Sequence, residues 1–138
     1  MSALHDLPSR LPRILAADPR YQPAAYAFVG EAVTFTCQRL RDAENRRRHV
    51  SGQELLAGFR DLARQRFGVL ALEVLEDWGI RRTEDVGNIV FNLVHHQVLG
   101  ATEEDSPADF ANGFAFAQAF APPAPPPPDP AAKLPKIA

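Results

Sequence analysis

Between residues 21 and 120, apolar side chains return every three or four positions, and residues that start or stop helices bracket each stripe. Ala25, Phe28, Val29, Ala32, Val33, Thr36 and Leu40 form the first stripe and predict a helix over Pro23 to Arg41. The β-branched run Val33-Thr34-Phe35-Thr36-Cys37 leans toward strand, but the helical period continues on both sides of it. Ser51-Gly52-Gln53-Glu54 has the spacing of a capping box, in which hydroxyl and carboxylate each satisfy the other residue's backbone N–H. The helix it opens turns Leu55, Leu56, Phe59, Leu62, Ala63 and Phe67 inward until Gly68 interrupts it. A continuation over Val69 to Trp78 buries Leu72, Val74, Leu75 and Trp78, and Gly79 is placed to terminate it.

A third strong helix is expected to start at Thr83 as N-cap, with Glu84 and Asp85 in the first turn, where the helix dipole favours negative charge. Its apolar side is Val86, Ile89, Val90, Leu93, Val94 and Val98, and Gly100 is its expected stop. Ser106-Pro107 then reads as an N-cap followed by proline at the first helical position. Phe110, Phe114, Phe116 and Phe120 fit a helical turn joined to an extended piece, with a short strand pair near 112–118 as the alternative.

The ends differ from this middle. Prolines interrupt residues 1–20, which predicts an irregular arm with a single turn around Ile14–Ala17. Residues 121–138 hold the run PPAPPPPDP and read as a flexible proline-rich tail. The expected architecture is therefore mostly α: one compact helical domain over 21–120, built from four or five short helices.

Composition adds bounds. The 138 residues are 46% hydrophobic and 23% charged, ordinary for a soluble globular chain. Cys37 is the sole cysteine, so no intramolecular disulfide forms and a reducing cytoplasm is the simplest setting. No run of about 18 apolar residues offers a membrane span, and no apolar core of a secretory signal is present. The net charge of −2 hides an uneven distribution: ten arginines face seven acids in 39–82, whereas two lysines face seven acids in 83–138.

Candidate chemistry follows that unevenness. Arg46-Arg47-Arg48-His49, with Arg39 and Arg41 nearby, is either a phosphate-contacting cluster or a turn neutralised by Asp42 and Glu44. Arg81-Arg82, beside a helix start, is either an anion site or one half of a bridge to Glu76, Asp77 or Glu103-Glu104-Asp105. That acidic triplet reads as a solvated loop or as a docking point for a basic partner. Neighbouring helical residues point about 100° apart, so His95 and His96 do not chelate one ion together. Ser51 and Thr83 are better explained as caps than as nucleophiles, and Cys37 as a small hydrophobe. No catalytic set and no phosphate-cradling glycine loop is visible, so no cofactor or metal is expected; a deep pocket lined by His49, Trp78 and Arg82 would be the sign of an enzyme.

RRHVSGQELL at 47–56, FG at 67–68, WGIRRTEDVGNIVFNLV at 78–94 and LGATEEDSPADF at 99–110 together resemble a small uncharacterised bacterial domain family of planctomycete- and verrucomicrobia-like genomes. The resemblance spans about Tyr21 to Phe120 and implies a compact cytoplasmic protein, with no activity to carry over. His95-His96-Gln97 departs from the acidic or small residues usual after FNLV in that family. Two functional expectations stand. One is a non-catalytic protein-interaction module, such as an accessory subunit of a larger assembly. The other is an RNA-, DNA- or ribosome-associated factor working through Arg39–Arg48 and Arg81-Arg82.

Overall fold

In the computed structural model, which describes residues 4–46, 48–100 and 105–121, the longest element is α2, Pro23–Glu44. Arg47, Glu103, Glu104 and the tail from residue 122 lie outside the described residues. The other helices are α1 (Leu7–Ala17), α3 (Gly52–Phe67), α4 (Ala71–Asp77), α5 (Thr83–His95) and the single turn α6 (Phe116–Ala119). Short 3-10 turns occupy Leu4–Asp6, Gly68–Leu70 and Pro107–Phe110. The fold is all-α among the described residues, and the strand alternative at 112–118 gives way to an extended link followed by α6.

α2 packs against α3 and α5, and the core fills the space between them. Tyr26, Phe28 and Val29 from α2 meet Leu56 and Phe59 from α3 and Ile89 and Leu93 from α5, all buried. The approach of α2 to α3 is closest where Gly58 faces Thr36: a Cβ at Gly58 would overlap the Thr36 hydroxyl. Thr36 itself is 1% exposed, and its hydroxyl donates to the Ala32 carbonyl at 2.7 Å. Trp78 is half-buried, its ring set against Phe28 and Phe67 at 5.7 and 5.5 Å. Leu72 and Val74 are likewise only partly covered, while Leu75 is fully buried.

Two helices end in the same way. Gly79, at φ +92°, donates to the Glu76 carbonyl while Ile80 N–H reaches back to Leu75, closing a Schellman motif over the buried Leu75–Ile80 pair. The expected stop of α5 at Gly100 is corrected: Gln97, at φ +62°, donates to Val94 while Val98 N–H reaches Leu93. Val98 and Leu93 are both buried, so the apolar closure of the motif fixes the stop and glycine is not required.

The start of α5 is also corrected. Thr83 is its first residue and does not act as N-cap. The Asp85 carboxylate instead accepts the N–H groups of Arg81 and Arg82 at 2.9 and 3.3 Å. The buried Thr83 hydroxyl accepts the Gly113 N–H at 3.1 Å, tying the phenylalanine-rich end to α5.

The irregular N-terminal arm expected for 1–20 is overturned. α1 is a helix in spite of Pro8 and Pro12, and the folded unit begins well before residue 21. Leu7 and Ile14 are buried, and Leu4, Leu11 and Leu15 pack against the core at the same three-to-four spacing. Pro8 lies in the first turn, where its missing N–H costs nothing. An internal proline costs about 3 kcal/mol, which burial of two or three such side chains at about 1.5–3 kcal/mol each offsets. The loop that follows is held by polar contacts: the Tyr21 hydroxyl donates to Asp85 at 2.6 Å, and Asn92 donates to Asp18 and to the Tyr26 hydroxyl.

Candidate partner-binding pocket

The chain between α2 and α3 is organised by one arginine. α2 closes on Asn45 in the left-handed region, and Arg48 then reaches back to Glu44 at 2.6 Å and forward to both Glu54 oxygens. Glu54 also accepts the Ser51 N–H at 3.1 Å, while Ser51 Oγ accepts the Glu54 N–H at 3.1 Å, so the expected capping box is formed. The Arg48 guanidinium, helped by the Ser51 N–H, pulls the Glu54 carboxyl down to about 2 despite the opposing effect of partial burial. These contacts point the turn at a second segment from far along the chain. His49 Nε2 lies 2.8 Å from the Asp105 carboxylate, and the Gln53 amide donates to the Asp109 carbonyl. Ser106 caps the 3-10 turn that follows, and Phe110 is buried against Phe91.

Between this joint and helices α2 and α5 lies a cavity of about 650 Å³. Among the described residues its apolar walls are Val33, Cys37 and Leu40 of α2, Val90, Phe91 and Val94 of α5, and Leu55, Leu99 and Phe110. Its polar lining includes Arg41, Arg46, Arg48, His49, Ser51 and Asp105. The arginines are not equivalent. Arg48 is held by two carboxylates, and Arg46 approaches Glu44 at 4.0 Å while remaining exposed. Arg41 is exposed and forms no ion pair among the described residues. Arg39 is turned to the other side of α2 and bonds Asp61 at 2.6 Å.

Ser51 Oγ is occupied by the helix cap, and no hydrogen bond joins it to His49, so no hydroxyl–imidazole relay is assembled. Burial pushes the Cys37 thiol up, with Arg41 opposing, which keeps the protonated and less nucleophilic form. No group of three or more His, Cys, Asp or Glu that would hold a metal occurs among the described residues. His49, Trp78 and Arg82 do not share a pocket: His49 lines the cavity, Trp78 sits between Phe28 and Phe67, and Arg82 is exposed at the start of α5.

The sequence places Arg46, Arg48, His49 and Asp105 among the candidate surface residues, and these do converge. Arg81 and Arg82 stand apart from them. The expected bridge from that pair to Glu76 or Asp77 is absent among the described residues, and Glu103 and Glu104, its other expected partners, lie outside them; Asp85 instead binds the backbone N–H groups of the pair, and both arginines are exposed. The helical stripes point Val33, Leu40, Val90 and Val94 inward, and the structure sets all four in the wall of a cavity. A second depression of about 910 Å³ runs along the opposite flank of α2, between Leu4, Phe35 and Leu62, and shares Thr34 and Gln38 with the first.

No helix among the described residues is long and apolar enough to cross a membrane. Compared with known proteins, the chain matches no protein-family model, no curated protein and no solved structure.

Proposed function

We propose that this chain is a non-catalytic protein-interaction module, an accessory subunit of a larger bacterial assembly in the cytoplasm, and that it engages its partner through the cavity between α2, α5 and the 48–52 turn. The observation that carries this reading is the division of labour in the cavity: its apolar lining residues are buried or half-buried, whereas Arg41, Arg46, His49 and Ser51 are exposed. Most of those polar groups are already committed to holding the fold, as with Ser51, Arg48 and the His49–Asp105 pair. A concave apolar surface with a few oriented polar groups is the usual form of a recognition site. The bacterial affiliation rests on the resemblance of the separated motifs between residues 47 and 110.

The nucleic-acid alternative has less to draw on. Arg48 and Arg39, two of its proposed phosphate contacts, are engaged by Glu44, Glu54 and Asp61. Phosphate binding needs cations that are free to displace counterions.

The test is a Leu99→Arg variant, which puts a charge into the cavity at a half-buried position outside the helices. With an unchanged melting curve, the variant should lose a protein that co-purifies with the wild type in fixed ratio. Full retention of that protein would remove the cavity as its docking place. Binding to nucleic acid that weakens steeply with salt would favour the alternative.

A further inference from the structure

We infer that the occupant of this cavity is an acidic amphipathic segment of another protein, which seats apolar side chains against Val33, Phe91, Val94 and Leu99 and sets its carboxylates on Arg41 and Arg46. This rests on the docking reading above and names the chemistry of the partner. At about 650 Å³ the cavity has room for a few leucine-sized side chains, within the roughly 300–1,000 Å³ usual for pockets that take a ligand.

Charge decides the flank of the segment. Glu44 and Glu54 already neutralise Arg48, and His49 bonds Asp105, the one acid among the described lining residues. The exposed arginines of the lining are the least compensated: Arg41 forms no ion pair among the described residues, and Arg46 approaches only Glu44, at 4.0 Å, an acid it shares with Arg48. Seating apolar side chains beside these guanidinium groups removes part of their water. Carboxylates on the incoming segment replace that water with fork-shaped charge-assisted hydrogen bonds, whereas lysines would meet like charge.

The experiment uses the full chain and three short synthetic peptides. All carry leucine at helical spacing, with the remaining positions glutamate, glutamine or lysine. Binding is read by fluorescence anisotropy at low and high salt, and occupancy of the cavity by protection of Cys37 from a thiol reagent. The glutamate peptide should bind about 5–10-fold more tightly than the glutamine peptide at low salt, as expected for two solvent-edge ion pairs, and the gap should narrow at high salt. It should protect Cys37, and the double variant Arg41→Glu/Arg46→Glu should reverse the preference toward the lysine peptide. Both arginines are exposed, so this variant should still unfold in one cooperative transition, slightly below the wild type because it sets acids at the C-terminal end of α2 beside Glu44.

Equal binding of all three peptides with Cys37 protected would overturn the acidic partner and leave the docking site standing. No binding and no protection by any peptide would overturn both. Self-association of the chain that Leu99→Arg abolishes would make a second copy the occupant and overturn the inference.

Discussion

Gln97 is held at φ +62°, where an L side chain crowds the following carbonyl and glycine does not. Its side chain is exposed and makes no hydrogen bond among the described residues, so nothing offsets that strain locally. Gln97→Gly should therefore stabilise the fold by about 1 kcal/mol, read as a higher denaturation midpoint at unchanged m-value. A loss of stability would mean that the Val98–Leu93 closure depends on the glutamine. The capping box makes a second prediction at this scale. The Glu54 carboxyl lies well below its ordinary range in the folded chain, so its contribution is complete above the usual carboxylate pKa of about 4.3. That contribution is lost as pH falls toward about 2. Glu54→Gln should lower stability near neutrality and flatten the acid limb of the stability curve, with wild type and variant converging at the lowest pH. Of these two residues, only Glu54 is legible in the sequence, because a capping box is contained within four consecutive positions. Gln97 is not, since its backbone angle is imposed by which apolar pair closes the helix end, and by residue type Gly100 is the more natural stop.

At the scale of elements, the crossing of α2 over α3 depends on Gly58. Alanine there would gain up to about 1 kcal/mol of intrinsic helix propensity, but its Cβ would occupy the space of the Thr36 hydroxyl. Thr36 is buried and anchored to Ala32, so it has little freedom to turn away. Gly58→Ala should cost about 1–3 kcal/mol net by overpacking, and Thr36→Ala/Gly58→Ala should recover part of it. Strict additivity of the two single changes in a denaturation cycle would show that the helices do not meet there. Helices α2, α3 and α5 follow from sequence because period and boundary signals agree in them, and most of their predicted inward positions are buried. α1 and the 3-10 turn before it carry the same three-to-four spacing in Leu4, Leu7, Leu11, Ile14 and Leu15. Pro8 and Pro12 obscure it, because local chemistry there argues against the helix and only tertiary burial, invisible in a single sequence, overrules it. Gly58 gave no sign either, for a mid-helix glycine reads as a weakness until the facing threonine is known.

For the molecule as a whole, what sequence lacks is knowledge of which distant residues meet. Arg46, Arg48, His49 and Asp105 are each readable as surface candidates, but the joining of His49 to Asp105 brings together residues 56 positions apart. The walls of the cavity carry the same apolar period as the core, so no pattern separates Val94 or Leu99 from a buried neighbour. The same long-range logic decides where the folded unit begins. Ile14 is fully buried on α1, and the Asp18–Asn92 bond fastens the end of that helix to α5. If α1 belongs to the one cooperative core, Ile14→Ala should cost about 2–5 kcal/mol in chemical denaturation. Its transition should keep the wild-type m-value and be the same by fluorescence of Trp78 as by far-ultraviolet dichroism. The exposed neighbour Arg13 provides the contrast: Arg13→Ala should fall within about 0.5 kcal/mol of wild type. An arm resting loosely on a finished domain would behave otherwise, with Ile14→Ala costing no more than Arg13→Ala, because the domain would then owe nothing to the seventeen residues before Asp18.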